Sequence, residues 1–369
     1  MTPDEFRKHA HDLVEWMAAY MENVEKYPVK SQSKPGEIFS IIPANPQEKA
    51  EPFSLLMEDL DKIIMPGITH WQNPNFFAYF PANTSPPSIL AEMITATLGA
   101  QCMNWETSPA AAELEEKIMN WLRGMLGLPD NFEGVIQDTA STATLAAIIA
   151  AREKTTGFAF NNDGGNTTGI LRVYCSEQAH SSVEKAVKIC GIGKRNLVKI
   201  QVRDDFSMDP EKLNEAIFAD KNSGFIPCCV IATIGTTGTT AVDPLRAIGE
   251  ICNRNSLWLH VDAAMAGTAL ILPEFQWMLD GREYIDSFLF NPHKWMFTNF
   301  DCTAFFIKDA ETLIKTFEIL PEYLKTRTRG QVNDYRDWGI PLGRRFRALK
   351  LWSVIRSYGT EGLCDKIRL

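Results

Sequence analysis

Lys294 sits in the run Asn291-Pro292-His293-Lys294-Trp295, directly after the apolar stretch Ser287-Phe288-Leu289-Phe290, which reads as a strand. A lysine at a strand's carboxyl end, in a partly desolvated pocket, has a lowered pKa and can attack a carbonyl to form a Schiff base. Alone, Pro-His-Lys reads as a surface lysine beside a turn. A second strand shifts the weight: Leu259-His260-Val261-Asp262-Ala263-Ala264 ends in a carboxylate followed by two small residues. Such an acid can hold a proton on a heterocyclic nitrogen, and the alanines leave room for a flat ring. Strand-end Asp also serves as metal ligand or cap, so the argument rests on the pairing of Asp262 with Lys294 at the ends of separate strands.

A phosphate requires backbone N–H donors, hydroxyls and the positive end of a helix. Thr139-Ala140-Ser141-Thr142-Ala143-Thr144 opens a helix of small residues and offers all three, the plainer alternative being a Ser N-cap. Ile234-Gly235-Thr236-Thr237-Gly238-Thr239-Thr240 follows another strand and adds hydroxyls, or is an ordinary glycine turn. His180, in Gln178-Ala179-His180-Ser181-Ser182, also follows a strand; its imidazole either stacks on a planar group or caps the next helix. Other motifs are poor. Gly191-Ile192-Gly193-Lys194 lacks the length and hydroxyl of a Walker loop, no GxGxxG follows a strand, and His9 and His11 face different sides of a helix, against a metal site.

These residues need a scaffold that collects strand ends. Between 140 and 310 short β-branched runs alternate with helical stretches, the pattern of βαβ units in an α/β fold with a mostly parallel central sheet flanked by helices. The expected strands are 170–175, 197–202, 228–234, 257–261, 286–290 and 302–307. Expected helices include 181–189, 209–219 behind an Asp209-Pro210 cap, 244–254 behind Asp243-Pro244, and an amphipathic 344–358. Ligands in such sheets sit beyond the carboxyl ends of the strands.

Towards the N-terminus, Phe6, Ala10, Leu13, Met17, Met21 and Val24 form one stripe of a helix that Thr2 and Glu5 cap as a box, with Pro3 at its first position and Tyr27-Pro28 stopping it. So wide an apolar stripe needs a partner surface, such as a second subunit. Residues 28–53 read as a Pro-rich extended connector and 54–65 as helical. The segment 73–81 packs four aromatics, which taken alone read as core.

With 45% apolar and 22% charged residues among 369, the chain falls in the soluble globular range. A net charge of -9 argues against a nucleic-acid surface. Eight Cys without a CxxC or zinc spacing, two of them adjacent at Cys228-Cys229 in an apolar run, read as reduced structural thiols of a cytoplasmic chain. No basic segment leads into an apolar one at the start, and no stretch reaches the length of a membrane span.

Taken together, Glu5-Phe6-Arg7, 64–71, 76–81, 179–184, 258–264, 291–295 and 341–347 resemble the group II pyridoxal 5'-phosphate (PLP)-dependent decarboxylases of fold type I, and within them the aromatic-L-amino-acid decarboxylases, nearly from end to end. The resemblance implies a PLP-dependent transferase-like fold: an N-terminal helical arm at 1–80, then a large PLP-binding domain at 81–369 that includes the start of a shortened C-terminal small domain. It implies that Lys294 holds PLP, Asp262 pairs with the pyridine nitrogen and His180 stacks on the ring, while Ala140, Ser141, Thr237, Ala264, Asn291 and His293 surround the phosphate or the ring edge. Trp71, Tyr79, Phe80, Pro81, Ala82, Met103, His180 and Gly343 would meet the substrate, with 101–103 supplied by the other subunit of a homodimer whose sites lie at the interface. Tyr323, in Pro321-Glu322-Tyr323-Leu324-Lys325, matches the loop Tyr that returns a proton to the substrate's Cα.

The implied reaction is decarboxylation of an aromatic L-amino acid (Trp, 5-hydroxytryptophan, Dopa, Tyr or Phe) to the arylalkylamine and CO₂. Similar aldehyde synthases usually replace this Tyr by Phe or the stacking His by Asn, so Tyr323 with His180 favours simple decarboxylation. The intact set Lys294, Asp262, His180 and Tyr323 also disfavours a catalytically silent PLP-binding homologue. Glutamate-type decarboxylases need a cationic pocket, whereas Trp71, Tyr79 and Phe80 suit an aromatic ring. Ala82 for Thr, Met265 for Tyr and Met103 for Phe imply a reshaped pocket, and Gly343 is the small option at a position associated in plant relatives with indole acceptance. Nucleic acid, membrane and metal are not expected partners.

Overall fold

The computed structural model describes residues 1–165, 169–319 and 330–369. By its contacts the chain divides into two units, Met1–Ala82 and Asn83–Leu369.

In the first unit, α1 (Pro3–Asn23) starts at the capping box read from the sequence: the Glu5 amide donates to the Thr2 hydroxyl at 3.2 Å, and the Thr2 amide donates to the Glu5 carboxylate at 2.7 Å. No residue of α1 is buried. The connector expected to be extended contains a short helix, α2 (Glu37–Ile41), and α3 (Phe53–Asp59) opens the stretch expected to be helical. The aromatics at 76–80 correct the core reading, because Phe77 is 88% and Tyr79 80% exposed. Trp71 stacks on Phe76 and Tyr79 at centroid distances of 4.7 and 5.8 Å. Aromatic content reports apolar surface without saying what covers it.

The second unit is built on a sheet with, among the described residues, seven strands: β1 (Glu133–Gln137), β2 (Leu171–Ser176), β3 (Leu197–Ile200), β4 (Ile226–Thr233), β5 (Trp258–Asp262), β6 (Ser287–Phe290) and β7 (Thr303–Ile307). Their order is β1-β7-β6-β5-β4-β2-β3. The run from β3 through β2, β4 and β5 to β6 is parallel, and β7 lies antiparallel between β6 and β1. Six strands lie within two residues of their expected spans; β1 was not expected. Its Gly134 is required by packing, since a Cβ there would stand 2.5 Å from Met119 Cε and 2.9 Å from Phe306 Cε1.

Helices α4 (Pro86–Leu98), α5 (Pro109–Leu126), α6 (Ala140–Thr156), α7 (Ala159–Asp163), α8 (Ser181–Ile189), α9 (Pro210–Asn222), α10 (Leu245–Asn255), the single turn α11 (Pro292–Trp295), α12 (Ala310–Phe317) and α13 (Arg347–Arg368) complete this unit. Side chains alternate along each strand, so Cys229, Ile231, Leu289 and Phe305 pack with Ala147 and Ile148 of α6 and Val183 of α8. Val230, Ala232, Leu259 and Phe288 join Leu122 of α5 and Ile248 of α10 in a separate cluster. Each buried Val, Leu, Ile or Phe among these contributes about 1.5–3 kcal/mol relative to exposure.

Asp209 caps α9 as expected, accepting from Glu211 N at 2.8 Å. Asp243 does not cap α10; it accepts from Met208 N and Thr233 N, both at 2.7 Å, and burial pushes its carboxyl up to about 6. It ties the end of β4 to a neighbouring loop instead. The helix expected to end at 358 bends at Gly359, whose φ of +65° suits a residue without Cβ, and continues to Arg368.

Candidate active site

β1 and β6 are both antiparallel to β7, so the carboxyl ends of β1, β6, β5, β4 and β2 share one edge of the sheet with the start of β7. β6 leads into α11 there: Asn291 N donates to the Ala264 carbonyl and Lys294 N to the Asn291 carbonyl, each at 2.9 Å. Pro292 suits the first position of the turn. Lys294 is thereby held one strand from Asp262, which stands opposite Leu289 in the β5–β6 register. Burial lowers the Lys294 pKa, opposed by the Asp262 charge. Burial raises that of Asp262, opposed by the Ala264 amide and by the charges of Lys294 and His180.

Asp262 is 5% exposed, and one of its oxygens accepts from Ala264 N at 3.0 Å. The other oxygen makes no hydrogen bond among the described residues. A buried carboxylate so poorly satisfied is costly, and a protonated heterocyclic nitrogen would supply both a donor and a countercharge.

Donors without acceptors mark the same edge. Thr139, not Ser141, caps α6: its hydroxyl accepts from Thr142 N at 3.4 Å and its carbonyl from Ala143 N at 3.1 Å. Ala140 and Ser141 thus occupy the first two helical positions, whose amides have no intrahelical partner. Thr303, at the start of β7, places its hydroxyl 2.8 Å from Asn291 Oδ1 and 3.2 Å from the Asp138 carbonyl, which links Asn291 to the entry of α6. Asn291 is buried, and its amide nitrogen makes no hydrogen bond among the described residues. Unpaired amides at a positive helix end fit a phosphate.

His293 is buried and accepts from Cys302 N through Nδ1 at 2.9 Å; burial pushes its pKa down to about 4, so the ring is neutral with its proton on Nε2. His180 caps α8, its Nδ1 accepting from Ser182 N at 3.2 Å and lying 2.9 Å from the Ser182 hydroxyl. The cap uses one edge of the exposed imidazole and leaves its face open, so capping and stacking are compatible. Beyond β4, the buried hydroxyl of Thr236 accepts from Ala241 N at 3.0 Å and shapes the turn, which leaves Thr237 exposed. Ala264 is half-buried beside the Asp262 carboxylate it donates to.

The segments that carry Met103 and Gly343 are bonded to one another through their neighbours. Cys102 N donates to the Arg344 carbonyl at 3.0 Å, Arg336 N to the Met103 carbonyl at 2.8 Å, and Arg344 N to Gln101 Oε1 at 2.7 Å. Arg344 is in turn paired with the buried Glu115 at 2.6 Å. Trp71, Tyr79, Phe80, Pro81 and Ala82 belong to the first unit, and Tyr323 lies outside the described residues. Sequence reasoning missed Thr303 and Glu115, since a strand Thr and a helix Glu are ordinary there.

An amine, a poorly satisfied buried carboxylate and an anion-seeking helix end on one sheet edge suit an enzyme of the PLP-binding class. The model of the pyridoxal-dependent decarboxylase conserved domain matches residues 35–369, and the chain belongs to that family, whose cofactor is PLP. It is 44% identical over 378 residues to a phenylacetaldehyde synthase of Petunia hybrida, covering 100% of this chain and 74% of the relative. It is 43% identical over 378 residues to tyrosine decarboxylase 4 of Petroselinum crispum, with the same coverage. The crystal structure of Oryza sativa TDC with PLP and tryptamine superposes with a TM-score of 0.96 at 38% identity, covering 99% of this chain and 76% of that one. The chain spans about three quarters of the length of these relatives.

Proposed function

We propose that this chain removes the α-carboxylate of an aromatic L-amino acid, releasing CO₂ and the arylalkylamine. The observation that carries this reading is the placement of Lys294 and Asp262 at neighbouring strand ends, each shifted by burial and each opposing the other's shift. PLP supplies the sink for the electron pair left behind when CO₂ departs.

The roles of the side chains follow from their chemistry. Lys294, its charge disfavoured by burial, is the nucleophile for the cofactor's aldehyde carbon. Asp262 keeps a proton on the ring nitrogen, His180 offers its open face to the ring, and Ala264 leaves the ring room. The Ala140 and Ser141 amides and the Asn291 amide nitrogen hold the phosphate, with Thr237 and His293 beside it. Tyr323 returns the proton to Cα. Trp71, Tyr79, Phe80, Pro81, Ala82, Met103 and Gly343 are assigned to the substrate's side chain, and the name of the tyrosine decarboxylase relative supports an aromatic one.

The working form is a cytoplasmic homodimer with its sites at the interface. Supporting this, α1 keeps Phe6, Val14 and Met21 at 60, 41 and 42% exposure, all eight cysteines are free, and no helix among the described residues is long and apolar enough to cross a membrane.

Because a relative is named a phenylacetaldehyde synthase, oxidative deamination is the second reading. Incubating the protein with PLP and each of Trp, 5-hydroxytryptophan, Dopa, Tyr and Phe separates the two. Equal yields of amine and CO₂ support decarboxylation; aldehyde, ammonia and peroxide with O₂ uptake support the synthase. Absence of all these products makes the chain a silent homologue.

A further inference from the structure

We propose that Thr303 is a positioning residue for the phosphate end of the cofactor, acting through Asn291. This rests on the reading that PLP binds at Lys294.

An Asn amide has two ends of opposite character: the nitrogen attracts a phosphate and the oxygen repels it. Which end faces the anion therefore depends on what holds the other. Thr303 is fully buried, so water does not compete for its hydroxyl. Both oxygens in its reach are acceptors, Asn291 Oδ1 at 2.8 Å and the Asp138 carbonyl at 3.2 Å, so the hydroxyl proton is directed at them. Holding Oδ1 leaves Nδ2 as the free end of a side chain that is 2% exposed. The Asp138 carbonyl immediately precedes the residue that caps α6, so one hydroxyl sets the amide beside the helix end that offers the Ala140 and Ser141 N–H groups.

The anchor is rigid. Thr303 opens β7 opposite Gln137 of β1, and the preceding residue, Cys302, donates its amide to His293 at 2.9 Å. The start of β7 therefore fixes two successive polar side chains of the segment that carries Lys294. Without the Thr303 hydroxyl, Oδ1 loses its buried donor and the amide is free to turn its oxygen towards the anion.

The test is titration of the PLP-stripped full chain with PLP and, separately, with pyridoxal, which lacks the phosphate. Thr303→Val is expected to weaken PLP binding by about tenfold and leave pyridoxal binding unchanged. Thr303→Ser keeps the hydroxyl and should restore PLP affinity. In an Asn291→Ala background, Thr303→Val should add no further loss. Equal weakening of PLP and pyridoxal, an unchanged PLP-to-pyridoxal ratio, or additive losses in the double variant would each overturn the assignment. Should Thr303→Val not fold, Thr303→Ala is read by the same ratio. The cofactor reading fails separately: wild type that takes up neither compound, with no pyridoxyl group fixed at Lys294 by borohydride, overturns that reading and the role of Thr303 with it.

Discussion

The two edges of the sheet carry the same residue types and treat them differently. At the amino edge, a cleft of about 490 Å³ is lined by Lys154, Trp258, Asp286 and Lys308 among others. Its charges are exposed or half-buried: Lys154, 51% exposed, pairs with Asp309 at 2.9 Å, the exposed Lys308 donates to the Glu283 carbonyl at 3.2 Å, and the half-buried Asp286 accepts from Leu259 N at 2.8 Å. At the carboxyl edge, Asp262 has a second oxygen and Asn291 an amide nitrogen with no hydrogen bond among the described residues. A cleft lined by charges that water reaches is surface relief, whereas open hydrogen-bonding positions on buried residues point to a ligand that completes them. The burial of groups able to do chemistry therefore locates the site here better than volume does.

The largest effect should come from the amine itself. Lys294→Ala is expected to lower decarboxylation by about 10³-fold or more and to abolish borohydride fixation of pyridoxal, read by mass spectrometry of the peptide. Fixation persisting at another lysine would erase the distinction between the edges.

Asp262→Asn sharpens the comparison because it should move activity and stability in opposite directions. Burial raises the folded pKa of Asp262 above its unfolded value, so without cofactor its contribution is fully present below the unfolded pKa and is lost as pH rises through the folded one. The cofactor-free variant should therefore melt higher than cofactor-free wild type near neutral pH, by an amount on the order of 1 kcal/mol. Decarboxylation should fall by about 10²-fold, since Asn cannot compensate a protonated ring nitrogen. Equal melting temperatures across the pH range would mean that this carboxylate is not strained in the empty site.

How much of this contrast is legible in the sequence differs by layer. Lys294, Asp262 and His180 could be placed on one edge because short apolar runs mark the strands before them, and residues just past a parallel strand share an edge by topology. β1 escaped notice since Glu133-Gly134-Val135-Ile136-Gln137 has polar ends, a glycine and an apolar run of only two residues, and owes its place to pairing with β7, a contact remote in the chain. Asp243 was misread as a helix cap because Asp-Pro suits one; its carboxylate went to amides 35 and 10 residues away. Taken alone the aromatics at 76–80 read as core, yet Phe77 and Tyr79 are exposed, because composition does not say which surface meets them. The burial of a polar group, which separates the two edges, depends on packing that no residue pattern encodes.

Glu115 extends the comparison to a buried charge that meets its countercharge. Its Oε1 accepts from Arg344 and from Ile136 N at 2.8 Å, while the same Arg344 nitrogen donates to the Ile136 carbonyl at 2.8 Å. Glu115→Gln leaves a buried guanidinium without countercharge, so chemical denaturation should show a loss of about 3 kcal/mol. Because Arg344 adjoins Gly343 and holds the 101–103 segment, any functional change should appear in which amino acid is preferred rather than in PLP affinity. Weakened PLP binding at unchanged stability would show that this pair belongs to the cofactor site and not to the scaffold.

The smallest effect should come from Lys154, the amino edge's counterpart of Lys294. Its side chain is 51% exposed and its partner Asp309 36%, so water screens the pair and most of its Coulomb attraction is offset by the entropy of holding a long side chain. Asp309 keeps other work when the lysine is removed, accepting from Thr312 N at 3.0 Å and from the Thr312 hydroxyl at 2.7 Å as the cap of α12. The Lys154 ammonium also stands 5.5 Å from the centre of the Trp258 ring, a contact worth at most about 1 kcal/mol at an exposed site. Lys154→Ala should therefore change stability by no more than about 1 kcal/mol, and should leave PLP affinity and decarboxylation within about twofold of wild type. A fall in decarboxylation comparable to that of Asp262→Asn would mean that charge at the far edge reaches the cofactor through the sheet, and burial would no longer tell the edges apart.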